Sequence, residues 1–213
     1  GNNLFNPALV GRAALLVAFP AQMTTWPKVG QTFAYLDAET GATPLSIMKQ
    51  AIKSGDASGL DRLPDSLSLF PGNHPDGAGA MGEICALALL LGLAYMLWKK
   101  IITWHIPVSI IVTVFVLAGL MHVVNPVYAD PVSVVLSGGL MLGAIFMATD
   151  YVTSPMTHRG QLIYGVAIGA LTVIIRNWGA YPEGMSFAIL IMNAFTPLIN
   201  NYVKPKRFGE VAK

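Results

Sequence analysis

The segment Ile106-Pro107-Val108-Ser109-Ile110-Ile111-Val112-Thr113-Val114-Phe115-Val116-Leu117-Ala118-Gly119-Leu120-Met121-His122-Val123-Val124 decides the class of fold. It lies between Lys100 and Asp130, an interval without Lys, Arg, Asp or Glu. A hydrocarbon layer about 30 Å thick, crossed at about 1.5 Å per residue, requires roughly 20 apolar residues in a helix. This run meets that requirement. Working outward, the charged residues punctuate four more apolar stretches of the same kind. They cover about 81–98, with Glu83 near its start; 132–149, between Asp130 and Asp150; 161–176, between Arg159 and Arg176; and 184–203, between Glu183 and Lys204. The expectation is an all-α, polytopic membrane helix bundle with five transmembrane helices.

Composition agrees. Of 213 residues, 54% are hydrophobic and 11% charged, against about 25% charged in an ordinary soluble domain. So few charges cannot cover the surface of a soluble globule, and so many apolar residues exclude a disordered chain. A net charge of +2 gives no reason to expect a nucleic-acid partner. One cysteine excludes an internal disulfide framework. Cys85 reads as a small buried residue.

A sixth element, about 7–22, opens the chain. Asn6-Pro7 is a helix start, with Asn as cap and Pro in the first turn. Arg12 needs a polar partner, and Pro20 makes the element short or broken. With Gly1 leading straight into it and no initiator Met, the chain reads as the later portion of a longer polypeptide.

Residues 23–80 form a long polar loop, with Lys28, Lys49, Lys53 and Arg62 set against Asp37, Glu39, Asp56, Asp61, Asp65 and Asp76. The stretch from Phe70 to Gly79 is turn-rich. Lys99, Lys100, Arg159, Lys204, Lys206, Arg207 and Lys213 fall on the opposite side of the bundle from this loop, whereas the short loops on its own side carry Arg176 alone. The excess of basic residues marks the cytoplasmic side. The loop is therefore expected outside the cytoplasm and the C-terminus inside. A connection this long is usually functional.

Its most informative part is Thr40-Gly41-Ala42-Thr43-Pro44-Leu45. Pro44 holds Thr43 extended and suits the first turn of a helix. Leu45, Met48 and Ile52 repeat with the spacing of a short amphipathic helix capped by Thr43. Gly41 and Ala42 leave the approach to the Thr43 hydroxyl open, and the helix N-terminus stabilises phosphate. On spacing alone, a capped surface helix accounts for the same residues.

Thr40-Gly41-Ala42-Thr43 resembles the Ser/Thr-Gly-Ala-Thr flavinylation motif of the RnfD/NqrB family. These are membrane subunits of the Rnf ferredoxin:NAD+ oxidoreductase and of the sodium-pumping NADH:quinone oxidoreductase. The likeness extends through Asn3-Leu4-Phe5-Asn6-Pro7-Ala8, Gly82-Glu83, Met147-Ala148-Thr149-Asp150, His158-Arg159-Gly160, Ile175-Arg176 and Tyr181-Pro182-Glu183-Gly184-Met185. Gly41 to Leu45 and Trp98-Lys99-Lys100-Ile101-Ile102 resemble the RnfD branch. The chain departs from the family at Ala38, where Gly is common, at His158, where Asn is common, and at Ile84-Cys85, where small hydroxyl residues follow the glutamate.

The resemblance implies FMN joined through its phosphate to Thr43, with Thr40, Gly41 and Ala42 completing the attachment motif. It implies electron relay coupled to Na+ or H+ transport in a prokaryotic inner membrane. The implied partners are other membrane subunits and an FMN-bearing extracytoplasmic subunit. Asn3 and Asn6 match positions near a noncovalent riboflavin in NqrB-type proteins, and read equally as a turn and a helix cap.

Two acids are candidates for ion coupling. Asp150 ends an apolar run, where Thr149 and Thr153 offer further oxygens, and an ionisable group at membrane depth is a functional candidate. It reads also as a hydrated helix end or a partner of Arg159. Glu83 suits a helix N-terminus through the dipole alone. Arg12 and Arg176 read as partners of carboxylates, carbonyls or lipid headgroups. His105 and His122 have no metal-ligand spacing around them. Gly139/Gly143 and Gly165/Gly169 permit close helix approach. Asn193, Pro197, Asn200 and Asn201 make the last helix locally polar. The rival reading is a cofactor-free transporter or channel domain of urea-transporter-like architecture.

Overall fold

The computed structural model describes residues 3–29, 39–72, 78–80 and 82–204. Asp37, Ala38, residues 73–77, Met81, Lys206, Arg207 and Lys213 lie outside them.

The chain is mostly helical. Its elements are α1 (Pro7–Ala18), α2 (Pro20–Thr24), β1 (Trp26–Pro27), β2 (Thr40–Gly41), α3 (Pro44–Ser54), a 3-10 turn (Ala57–Arg62) and α4 (Ser66–Leu69). There follow α5 (Ala86–Trp98), α6 (His105–Val124), α7 (Pro131–Leu136), α8 (Leu140–Leu142) running into a π turn (Gly143–Met147), α9 (His158–Trp178) and α10 (Met185–Tyr202). Among the described residues, α6 and α9 are long and apolar enough to cross a membrane; α1 and α5 are apolar but shorter.

Helix α6 shows why these helices assemble. Ile106, Ile110, Val114 and Ala118 repeat at four-residue spacing and are buried, whereas Val108, Val112, Val116 and Leu120 repeat on another face and are exposed. The buried row meets α9, where Tyr164 and Ile168 are fully enclosed. Gly165 and Gly169 allow this approach: a Cβ on either would stand 3.1 Å from the Ile106 or Ile110 carbonyl oxygen respectively. Ala188 and Ile189 of α10, with Leu140, Ala144 and Ile145, complete the core. The outward rows leave large apolar side chains uncovered, including Phe115, Val123, Ile163 and Val166. Such a surface suits lipid and not water.

The structure differs from the sequence expectation at two places. The single helix expected over 132–149 is interrupted: α7 ends at Leu136, and Ser137 and Gly138 leave helical geometry before α8. Gly138 has φ +65°, a conformation that costs any other L residue about 1–2 kcal/mol. The apolar pattern continues through the break because both halves are buried. Secondly, α5 begins at Ala86, which leaves Glu83 in the preceding turn and Cys85 half-buried at the helix entrance. The first element is short and broken at Phe19, ahead of Pro20, since Pro disfavours the helical conformation in the residue before it.

Candidate functional site

Thr43 caps α3. Its backbone is extended (φ −75°, ψ 151°), and its Oγ1 accepts from Ser46 N at 3.2 Å. Pro44 occupies the first turn, where its missing N–H costs nothing. The approach is fixed by a two-residue antiparallel ribbon in which Trp26 faces Gly41 and Pro27 faces Thr40. Ala78 N donates to Ala42 O. Thr40 and Ala42 are exposed. Gly41 is closely covered, and a Cβ there would stand 3.1 Å from Lys28 Cγ. Leu45 and Met48 bury the inner face of α3.

Lys49 anchors that helix. It is 9% exposed, and its ammonium donates to the backbone oxygens of Arg176, at 3.0 Å, and Gly179. These oxygens lie at the C-terminal end of α9, where a cation complements unpaired carbonyls and the helix dipole. Burial pushes the Lys49 ammonium pKa down, and nearby Lys53 adds to this. Arg176 is itself buried, and its guanidinium donates to Val134 O at 2.8 Å and Ser137 O at 3.0 Å. These are carbonyls that the break after α7 deprives of helical partners. Leu45 closes the ring: its side chain fills the space that a Cβ on Gly138 would need.

A cleft of about 340 Å³ opens beneath Thr43. Trp26 and Tyr181 stand in its lining, as do Arg12, Glu83 and Glu183. Arg12 reaches Glu183 at 2.5 Å. The two carboxylates converge on the helix break, since Glu83 Oε2 and Glu183 Oε1 each lie 2.9 Å from where a Cβ on Gly139 would stand. Burial, and then Glu183, push the Glu83 carboxyl above the usual range, while Arg12 and Arg176 pull it down. The residues fit a flavin phosphoester: an alcohol at a helix N-terminus, small residues before it, and a cleft with both aromatic and charged lining.

The other candidates lie elsewhere. Asn6 caps α1, its Oδ1 accepting from Ala8 N at 3.1 Å and Leu9 N at 3.4 Å, while its Nδ2 donates to Met147 O at 3.5 Å. Asn3 is exposed ahead of this cap. Asp150 follows the π turn, and its Oδ2 accepts from Thr153 Oγ1 at 3.0 Å. Among the described residues no ion pair joins Asp150 to Arg159. Thr149 turns its hydroxyl back to Ile145 O. Glu83 thus faces the Gly139 end of the 140–147 segment, and Asp150 follows its other end. Between α9 and α10, the Tyr164 hydroxyl and the Asn193 side-chain amide are hydrogen-bonded at 2.7 Å, wholly buried.

A mostly helical chain with an outward apolar surface, a broken internal helix and a polar loop seated over the break has the character of an integral membrane protein. The chain belongs to the NQR2, RnfD, RnfE family, whose model matches residues 1–209. It is 43% identical to the D subunit of the proton-translocating ferredoxin:NAD(+) oxidoreductase complex of Clostridium ljungdahlii, over 98% of this chain and 62% of the relative. It is 44% identical to the D subunit of the Na(+)-translocating ferredoxin:NAD(+) oxidoreductase complex of Acetobacterium woodii, over 98% and 60%. The D subunit of the ion-translocating oxidoreductase complex of Stutzerimonas stutzeri is 39% identical, over 100% and 65%. The chain thus spans under two thirds of the length of these relatives.

Lys49 and Glu183 were not singled out by sequence reasoning. Lys49 carried a usable signal: it follows Leu45 by four residues and so shares its helix face.

Proposed function

We propose that the chain is part of an RnfD-type membrane subunit of an ion-translocating electron transport complex, with FMN joined through its phosphate to Thr43. In this reading α5, α6, the α7–α8 segment, α9 and α10 span a prokaryotic inner membrane, residues 23–80 lie outside the cytoplasm, and the C-terminus lies inside. Partners are the other membrane subunits and an FMN-bearing extracytoplasmic subunit. The observation that carries the reading is Thr43, placed as the cap of α3 at the rim of the cleft holding Arg12, Glu83 and Glu183.

A flavin held there supplies uptake of two electrons and their release one at a time. The chain's own residues do the rest. The first turn of α3 presents N–H groups and a partial positive charge to a phosphoester. Lys49 and Leu45 lock α3 to α9 and to the α7–α8 break, fixing the distance from the acceptor to the membrane. Asp150 and Glu83 are the ion-coupling candidates, for Na+ or H+, and Asn3 with Asn6 is the candidate riboflavin position.

The test is in-gel fluorescence of the denatured protein, from cells containing the flavin transferase. Fluorescence that survives denaturation and is lost in Thr43→Val is expected. A dark wild-type band would overturn the flavin reading and favour the cofactor-free transporter, which the interrupted α7–α8 segment also suits.

A further inference from the structure

We propose that Glu83 is the proton-exchanging residue of the cleft, binding one proton when negative charge arrives there and releasing it when that charge leaves. This deepens the flavin reading of Thr43 and rests on it.

The two acids at the helix break are not equivalent. Glu183 receives the Arg12 guanidinium at 2.5 Å and the Ser186 hydroxyl at 3.3 Å. Glu83 has no cation at ion-pair distance among the described residues, yet it is held against Gly139 beside the Glu183 carboxylate. The two oxygens that flank Gly139 are at most twice 2.9 Å apart. At such separation the second negative charge is the more costly one, and it falls on the acid without a cation.

Neither guanidinium is free to change this. Arg12, from α1, is committed to Glu183. Arg176, from α9, is buried and pinned through its two terminal nitrogens to Val134 O and Ser137 O. From the segment before α10, Tyr181 also lines the cleft, and α3 contributes Ser46 and its cap Thr43, whose oxygen would carry the negatively charged phosphodiester of the flavin reading. Arg176 therefore acts on Glu83 only through space and not as an ion pair. The charge that can change here is a proton on Glu83. Its raised affinity for that proton agrees with burial beside Glu183.

The step balances. One electron leaves a one-electron carrier of a partner subunit, which is oxidised, for the flavin that the Thr43 reading would hold at the cleft, which would be reduced and add one negative charge there. One solvent proton forms an O–H bond on a Glu83 carboxylate oxygen, and the net charge of the cleft is restored. When the electron leaves, that bond breaks and the proton returns to the aqueous end. The Arg12–Glu183 ion pair and the Arg176 hydrogen bonds need not change in this step.

The experiment is redox-induced infrared difference spectroscopy with a parallel potentiometric titration, on the whole complex at several pH values. Wild type should show a protonated-carboxyl band on reduction, and a flavin midpoint potential that falls as pH rises. Glu83→Gln should lose the band and at least roughly halve the slope of potential against pH. Glu83→Asp should keep both, with the band shifted, and serves where Glu83→Gln does not assemble. An unchanged band and slope in Glu83→Gln, or their absence in wild type, would overturn the proposal. Intact mass of the same samples separates the two ideas: attached flavin with an unchanged slope removes only the role of Glu83, whereas an unmodified wild type removes both.

Discussion

Lys49 of the loop helix α3 donates to the backbone oxygen of Arg176, which lies in the last turn of α9. The Arg176 side chain in turn holds the carbonyls at the α7–α8 break, and Leu45, four residues before Lys49, packs on Gly138 in that break. Three sequence-distant elements are therefore tied into one ring two residues from Thr43. Movement of the broken helix cannot be independent of the loop.

Lys49→Met should loosen that ring. A hydrogen bond from a charged group contributes about 1.5–3 kcal/mol, so α3 amides should exchange with deuterium roughly tenfold faster or more, while those of α6 do not change. Lys49→Arg should restore part of the protection. Equal exchange in Lys49→Met and wild type would show that the ammonium does not anchor the loop.

Gly138 carries two separable constraints. Gly138→Ala should cost about 1–2 kcal/mol for the left-handed backbone, and more for the clash with Leu45. In the Gly138→Ala, Leu45→Ala double variant the clash disappears, so the added loss of melting temperature in detergent should be less than the sum of the single losses. Strict additivity would mean that Leu45 and Gly138 do not share the space the structure assigns them.

The pH dependence of stability has a definite sign. The Glu83 carboxyl binds its proton more tightly in the folded protein than in the unfolded chain. Its contribution is complete below the ordinary glutamate range and is lost as pH rises toward the folded value, because the unfolded chain gives up its proton first. Thermal stability in detergent should fall over that window, and Glu83→Gln should flatten the fall. A slope left unchanged by the substitution would assign it to other groups.

Asp150 tests the opposite end of the segment. Asp150→Asn keeps the shape of the side chain and its contact with Thr153. Ion-driven turnover of the complex should drop several-fold, with flavin attachment intact. Full coupling in the variant would leave Asp150 as a helix-end residue only.

What the sequence made legible follows from the range of each interaction. Helix α6 was readable because an interval without charge has one meaning at that length. Helix α3 was readable from Thr43-Pro44 and the Leu45, Met48, Ile52 spacing, all local signals. Arg12 was recognised as needing a polar partner, but Glu183 stands 171 positions away, and no local pattern points there. The break at Ser137-Gly138-Gly139 was hidden by continuous hydrophobicity, which records burial and says nothing of backbone direction. Adjacent glycines in an apolar run were its signal, and they read equally well as a packing surface. Lys49 resembled a solvated loop cation until the end of α9 was placed beside it.

The central claim is the bond at Thr43, and intact mass spectrometry of the polypeptide purified from its native host tests it most directly. The account predicts wild type heavier than its sequence by one phosphoester-linked FMN, and Thr43→Val at the unmodified mass. Wild type at its bare sequence mass, or Thr43→Val still carrying the added mass, would contradict it.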